Sequence, residues 1–184
     1  MSDPAHRAMT SDRFIAWAMD QPQGRYELVA GEIVAMAPER SIHSITKGRV
    51  YRRLAEAVEA ASLRCTVYPD GMAVEVDANT VYEPDAMVRC GEELGDDALI
   101  VIDPIIVIEI LSPSTSAVDT GNKLTDYFRL ASVRHYLLIR ADKRVIVHHE
   151  RDEAGTITTR IVHDGAVRLD PPGIDLADIF EPEP

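Results

Sequence analysis

Apolar positions recur along this chain in two rhythms. Over Ser41 to Ala61 they follow helical spacing, with Val50, Leu54, Val58 and Ala61 on one stripe. Arg49, Arg52, Arg53 and Glu56 fall broadly opposite, as a charged outer face. His43 and Lys47 lie on the Leu54 side in the first two turns, so that end of the helix either reaches solvent or leans into a site. Leu124, Phe128 and Ala131, with Tyr127 beside them, mark a second helix running to about Leu130. Ser114, Thr115 or Ser116 is its expected cap. A shorter helix holds Phe14, Ile15, Trp17 and Ala18, capped by Ser11 or Asp12 and broken by Pro22 and Gly24.

Between the helices the rhythm shortens to that of strands. Tyr26–Val29 and Glu32–Met36 flank Ala30-Gly31, and Arg64–Tyr68 and Met72–Val76 flank Pro69-Asp70-Gly71. Val81–Cys90 contains Tyr82-Glu83-Pro84-Asp85-Ala86-Met87-Val88, and Ile105–Leu111 reads as a β-branched apolar strand stopped by Pro113. Arg134–Ile139 and Arg144–His149 follow. Thr156–Val162 and Ala166–Leu169 form an expected hairpin over Asp164-Gly165, and Pro171-Pro172-Gly173 closes the sheet region. Strands interrupted by two long helices predict an α+β or mixed α/β fold with a central sheet, not a doubly wound parallel one. The expected organisation is a tail and short helix over residues 1–24, one domain over 25–180 and a tail over 181–184.

The length of 184 residues suits a single core. No run reaches the roughly 18 apolar residues of a membrane span, and Met1–Thr10 lacks the apolar segment of a signal peptide. The expected location is the cytoplasm. Cys65 and Cys90 have no metal-site spacing and are expected as two reduced thiols. Nineteen basic against thirty-one acidic residues leave a net charge of −12, which disfavours non-specific adhesion to nucleic acid without excluding a local basic surface. No G-x-G-x-x-G, Walker lysine loop, H-E-x-x-H or G-x-S-x-G is present.

Two acids stand in apolar, strand-like settings: Asp85 before Ala86-Met87-Val88, and Glu109 between Ile108 and Ile110. A carboxylate there is costly unless a metal, a cation or a proton meets it. On adjacent strands the two could share one divalent ion, and oxygen ligands suit Mg²⁺ or Mn²⁺. Lys123, about two turns into the following helix, could deliver an ammonium inward along its apolar stem, or else pair with Asp119 at the surface. Pro69-Asp70 repeats the dipeptide of Pro84-Asp85, but Gly71 follows, so it reads as a turn.

At these residues the chain resembles the Uma2 family, bacterial restriction-endonuclease-like proteins with the PD-(D/E)XK nuclease fold. The resemblance rests on Pro84-Asp85, on Val107-Ile-Glu-Ile-Leu-Ser-Pro-Ser-Thr115, and on Asp119, Lys123 and Tyr127 at four-residue steps. Tyr26–Val34, His43, Gly48, Val67–Gly71 and Tyr136–Ile139 extend it to roughly Arg25–Phe180. It implies a central mixed sheet flanked by helices and hairpins. It also implies Asp85 and Glu109 as ligands of Mg²⁺ (or Mn²⁺), and phosphodiester hydrolysis by metal-activated water. The lysine expected two residues after the glutamate is Leu111 here, and Lys123 is its implied substitute. Glu27 is the candidate additional acid, and His43 a neighbour of the scissile phosphate.

The resulting expectation is a cytoplasmic metal-dependent endonuclease acting on nucleic acid, DNA foremost, with a homodimer as a possible assembly. The alternatives are a nuclease-fold protein that binds or regulates without cutting, and a hydrolase of another phosphate ester.

Overall fold

The computed structural model describes residues 8–111, 117–163 and 165–180, and for 117–120 the backbone alone. The expected caps Ser114, Thr115 and Ser116, the side chain of Asp119, the turn residue Asp164 and the tail 181–184 lie outside the described residues.

Among the described residues, three α-helices form: α1 (Ser11–Met19), α2 (Ser41–Ala60) and α3 (Ala117–Tyr127). The strands are β1 (Tyr26–Val29), β2 (Glu32–Ala35), β3 (Cys65–Pro69), β4 (Val74–Asp77), β5 (Thr80–Tyr82) and β6 (Ala86–Cys90). They continue as β7 (Ile106–Ile110), β8 (His135–Arg140), β9 (Val145–Arg151), β10 (Ile157–Val162), β11 (Val167–Leu169) and β12 (Ile174–Leu176). The central sheet has six strands in the order β10-β9-β8-β7-β6-β3. Only β7 and β8 run parallel within it, because α3 carries the chain back between them. A second sheet, β2-β1-β5-β4, stands beside it, and β11 pairs with β12. The fold is mixed α+β.

The alternation of β7 explains how the sheet is covered. Ile106, Ile108 and Ile110 pack with Val50, Leu54 and Val58 of α2 on one face. Val107 packs with Tyr127 and Phe128 at the end of α3 on the other. Both faces are therefore apolar, and every residue of β7 is buried. Glu109 sits in this strand on the α3 side. Among the described residues, no helix is long and apolar enough to cross a membrane.

Four local points are decided by the tertiary structure. The run Val81–Cys90 is not one strand. Pro84, with no amide hydrogen for a ladder, breaks it, so β5 joins the smaller sheet and β6 the central one. Asp85 sits at that corner. Second, β10 does not pair with Ala166–Leu169. It pairs with β9, while β11 turns through Pro171-Pro172-Gly173 onto β12. The apolar residues decide this: Val167, Leu169, Ile174 and Leu176 are buried in the core beside α2, whereas β10 is an exposed edge. Third, Thr10 rather than Ser11 or Asp12 is the N-cap residue of α1, and the Ser11 hydroxyl donates to Glu75 Oε1 at 2.5 Å. Fourth, Cys65 and Cys90 are not separate thiols. The antiparallel register of β3 and β6 sets them directly opposite, and they form a disulfide.

Candidate active site

The site is built on a cross-strand row. β3 pairs with β6 at Pro69 and Ala86, and β6 pairs with β7 at Ala86 and Ile108. One step further along those strands come Asp70, Asp85 and Glu109. The two Pro-Asp dipeptides thus end on neighbouring strands. Asp85 is anchored at this point through its backbone: its N–H donates to Ile108 O at 3.1 Å, and its Oδ2 accepts from the Ile110 N–H at 2.6 Å.

Glu109 meets groups from α3 and β1. The Tyr127 hydroxyl donates to Glu109 Oε1 at 2.9 Å, and the Lys123 ammonium donates to the same oxygen at 3.1 Å. Lys123 also donates to Glu27 Oε1 at 2.8 Å, which in turn accepts from the Glu83 N–H at 3.0 Å. The ammonium lies 5.0 Å from the centre of the Tyr82 ring. Two carboxylates thus face one ammonium in a buried cluster, leaving a surplus of negative charge. Burial pushes the Glu109 carboxyl up to about 7; Lys123 pulls it down, while Asp85 and Glu27 add to the rise. The Lys123 ammonium is itself held above its ordinary value: burial opposes the charge, and Glu109 and Glu27 outweigh it.

Asp85 meets groups from α2 on the other face of the sheet. His43 and Lys47, one helical turn apart, reach different oxygens of its carboxylate. His43 Nε2 lies 3.3 Å from Oδ2, and Lys47 Nζ 2.7 Å from Oδ1. Lys47 also bonds Glu39 and lies 2.9 Å from Asp70 Oδ2. The Arg25 guanidinium bridges Glu39 at 2.8 Å, Asp70 at 2.9 Å and Glu83 at 2.6 Å. Burial pushes the Asp85 carboxyl up, but the His43 hydrogen bond and the Lys47 charge outweigh it and hold the group below its ordinary value. The same hydrogen bond from Asp85 raises His43, against burial.

The ring of His43 has a defined orientation. Its Nε2 lies 2.5 Å from Ile110 O, and a carbonyl can only accept, so Nε2 carries a proton. The other nitrogen, Nδ1, is buried without a hydrogen-bond partner and faces Glu39 Oε2 at 3.5 Å. In the neutral ring this sets a lone pair against a carboxylate, an arrangement that a proton on Nδ1 or a metal cation between them relieves. A histidine bound to metal through one nitrogen commonly donates its other N–H to a carbonyl in this way. Ligand atoms of Glu39, His43 and Asp85 all lie within 4.8 Å of one another. The donors present therefore fit a divalent cation, with Asp85 common to this group and to the row that continues to Glu109.

A family comparison decides the affiliation. The model of the Uma2 family, described as "Putative restriction endonuclease", matches residues 11–177. The chain belongs to the Uma2 family. A relative in Synechocystis sp., "Uncharacterized protein slr1290", is 23% identical over 147 residues, covering 79% of this chain and 76% of that protein. The crystal structure of "a putative nuclease belonging to DUF820" from Anabaena variabilis superposes with a TM-score of 0.73 at 18% identity, over 94% of this chain and 97% of that one. The mixed α+β fold is shared.

Against this Uma2 frame, the structure gathers Glu27, His43, Asp85, Glu109 and Lys123 at one end of the central sheet, none of the acids more than 9% exposed. Three neighbours carried no strong sequence signal. Glu39 precedes α2, and its only cue is a four-residue step before His43. Asp70 looked like a turn residue and is one, but strand pairing turns it towards Lys47. Lys47 was visible as a polar residue on an apolar stripe, and it is buried against Asp85. Leu111, where the nuclease motif places lysine, packs at the margin of the α3-side core.

Proposed function

We propose that this Uma2 protein is a metal-dependent endonuclease that hydrolyses phosphodiester bonds of nucleic acid, with DNA as its foremost substrate. The observation that carries the reading is the row Asp85–Glu109, served by one ammonium from each side of the sheet: Lys47 from α2 and Lys123 from α3. Asp85 would hold the ion, Mg²⁺ or Mn²⁺, with Glu39 and His43, whose ligand atoms and its own all lie within 4.8 Å of one another, and Glu109, the next acid of the row, would be a ligand from the neighbouring strand. When bound, such an ion polarises the phosphate and lowers the pKa of a water.

The chain's own residues supply the remaining functions. Lys123 holds the Glu109 and Glu27 carboxylates in a fixed arrangement, and Tyr127 fixes the same Glu109 oxygen. His43, held by Ile110 O, stands beside Asp85, where it would neighbour the scissile phosphate. The reading places the protein in the cytoplasm. A homodimer would bring two such sites to the two strands of a duplex, and sedimentation tests that assembly.

The net charge of −12 and Leu111 favour a second reading, a nuclease fold that binds or regulates without cutting. Hydrolysis of another phosphate ester shares the same chemistry. The deciding experiment is cleavage of single- and double-stranded DNA and RNA with Mg²⁺ or Mn²⁺, with Asp85→Ala and Glu109→Ala as controls. Cleavage by wild type that both variants abolish supports the nuclease. No cleavage by wild type, with calorimetry showing no carboxylate-dependent metal binding, sinks it.

A further inference from the structure

The cleft beside Asp85 has one wall made by a single stripe of α2. Ser44, Gly48 and Tyr51 are spaced four and three residues apart, so they share a helix face, and Lys47 adjoins them. All four line a cavity of about 250 Å³ that Asp85 also borders. That is below the roughly 300–1,000 Å³ of a pocket that engulfs a small molecule, and suits one unit of a longer strand passing through.

Gly48 is the informative residue. Glycine weakens a helix interior relative to alanine, so its place in the middle of α2 needs a reason. Its φ lies outside the left-handed region. Close packing does not demand it either, since a Cβ built there meets nothing within 4 Å. What the missing side chain provides is open space over the helix backbone, on the wall of this cleft. One turn away, Tyr51 is 39% exposed on the same wall and brings an aromatic ring that can stack on a base or sugar.

Of the two site lysines, Lys47 borders this cleft. Lys123 is packed over Tyr82 between Glu27 and Glu109. Arg25 bonds two of the cleft's acids, Glu39 and Asp70, while Lys47 Nζ meets three carboxylates, those of Glu39, Asp70 and Asp85; an ion held by Glu39 and Asp85 would free N–H groups of Lys47 for an anion.

We propose that the Ser44–Lys47–Gly48–Tyr51 face of α2 is the track on which a nucleic-acid strand lies, with the Lys47 ammonium on the phosphate next to Asp85. This rests on the nuclease reading and adds a substrate path to it. Lys47 is then a catalytic residue, and Lys123 positions the acids.

The test compares wild type, Gly48→Leu, Lys47→Met and Lys47→Arg on a labelled single-stranded DNA oligonucleotide with Mn²⁺, recording kcat, KM and Tm. Leucine is the better helix former, so Gly48→Leu should keep or raise Tm while filling the track. Its KM should rise about tenfold or more, with kcat within about twofold. Lys47→Met should lower kcat by about a hundredfold or more, and Lys47→Arg should retain most of it. If Gly48→Leu keeps wild-type KM, or instead loses Tm, the track is overturned, whether or not Lys47→Met folds. If wild type cuts and Lys47→Met cuts equally well, the role of Lys47 is overturned while the nuclease reading stands. Failure of wild type to cut DNA or RNA overturns both.

Discussion

Lys123 Nζ lies 3.1 Å from Glu109 Oε1, and the same ammonium bonds Glu27, nearly a hundred residues earlier in the chain. One buried cation thus joins α3, β7 and β1. Removing it would leave two carboxylates together in a site with almost no solvent, and such a broken buried pair costs about 3–5 kcal/mol. Lys123→Met should therefore lose about that much stability in urea denaturation. Adding Glu109→Gln should recover part of the loss, because the surplus charge is then removed. A single variant within about 1 kcal/mol of wild type would mean that the ammonium does not compensate these acids.

Metal binding should stabilise the fold. A cation at about 100 times its Kd adds about 2.7 kcal/mol, visible as a rise in Tm. The rise should vanish in Asp85→Ala, which removes the shared donor. His43→Ala should weaken Mn²⁺ more than Mg²⁺, because imidazole suits the softer ion better. Equal losses for the two ions by calorimetry would remove His43 from the ligand set.

The second buried polar cluster makes the protein acid-sensitive. His135 Nε2 donates to Pro171 O at 2.9 Å, so its Nδ1 accepts, and His148 Nε2 donates to it at 3.0 Å. Both rings are neutral in this arrangement. Burial lowers His135, and burial followed by the charge of His135 lowers His148 from 6.5 to about 4. The unfolded chain therefore binds more protons between those values. The stability contribution is present above about pH 6.5 and is lost as pH falls towards 4, on the order of 3 kcal/mol for His148. Denaturation midpoints at pH 7, 5.5 and 4.5 measure this slope, and His148→Gln should flatten it. An unchanged slope in that variant would assign the acid sensitivity to other groups.

The Cys65–Cys90 bond ties the edge strand β3 to β6 across a separation of 25 residues. A closed loop of that length contributes about 3–4 kcal/mol by restricting the unfolded chain. Thiol titration of the denatured protein should find no free thiol without reductant and two with it. Reduction should lower Tm, and Cys65→Ser should do the same. Two free thiols in protein purified without reductant would instead match the reduced cytoplasm expected from the sequence.

Much of the fold was legible because its signals are local. The stripe Val50–Leu54–Val58 defines α2, and the β-branched run of β7 announces a strand buried on both faces. Asp85 and Glu109 stood out as acids in apolar settings. The failures occurred where two distant segments compete for one partner. Nothing near Thr156–Val162 says that it pairs with β9 rather than β11, and Pro84 marks a break in its run without saying which sheet each side joins. Cys65 and Cys90 lacked a shared motif because their link is a matter of register.

By itself, then, the sequence determined the helices, most of the strands, the α+β class and the acids that make the candidate site. Those follow from the short periods of helix and strand and from the cost of placing a carboxylate among isoleucines. Tertiary structure alone decided which groups meet those acids. Pairing β3 with β6 turned Asp70 towards Lys47, and packing α2 and α3 on opposite faces gave Asp85 and Glu109 a lysine each. The reason is physical: a side chain's partner across the sheet depends on long-range register, which no local pattern of residues encodes.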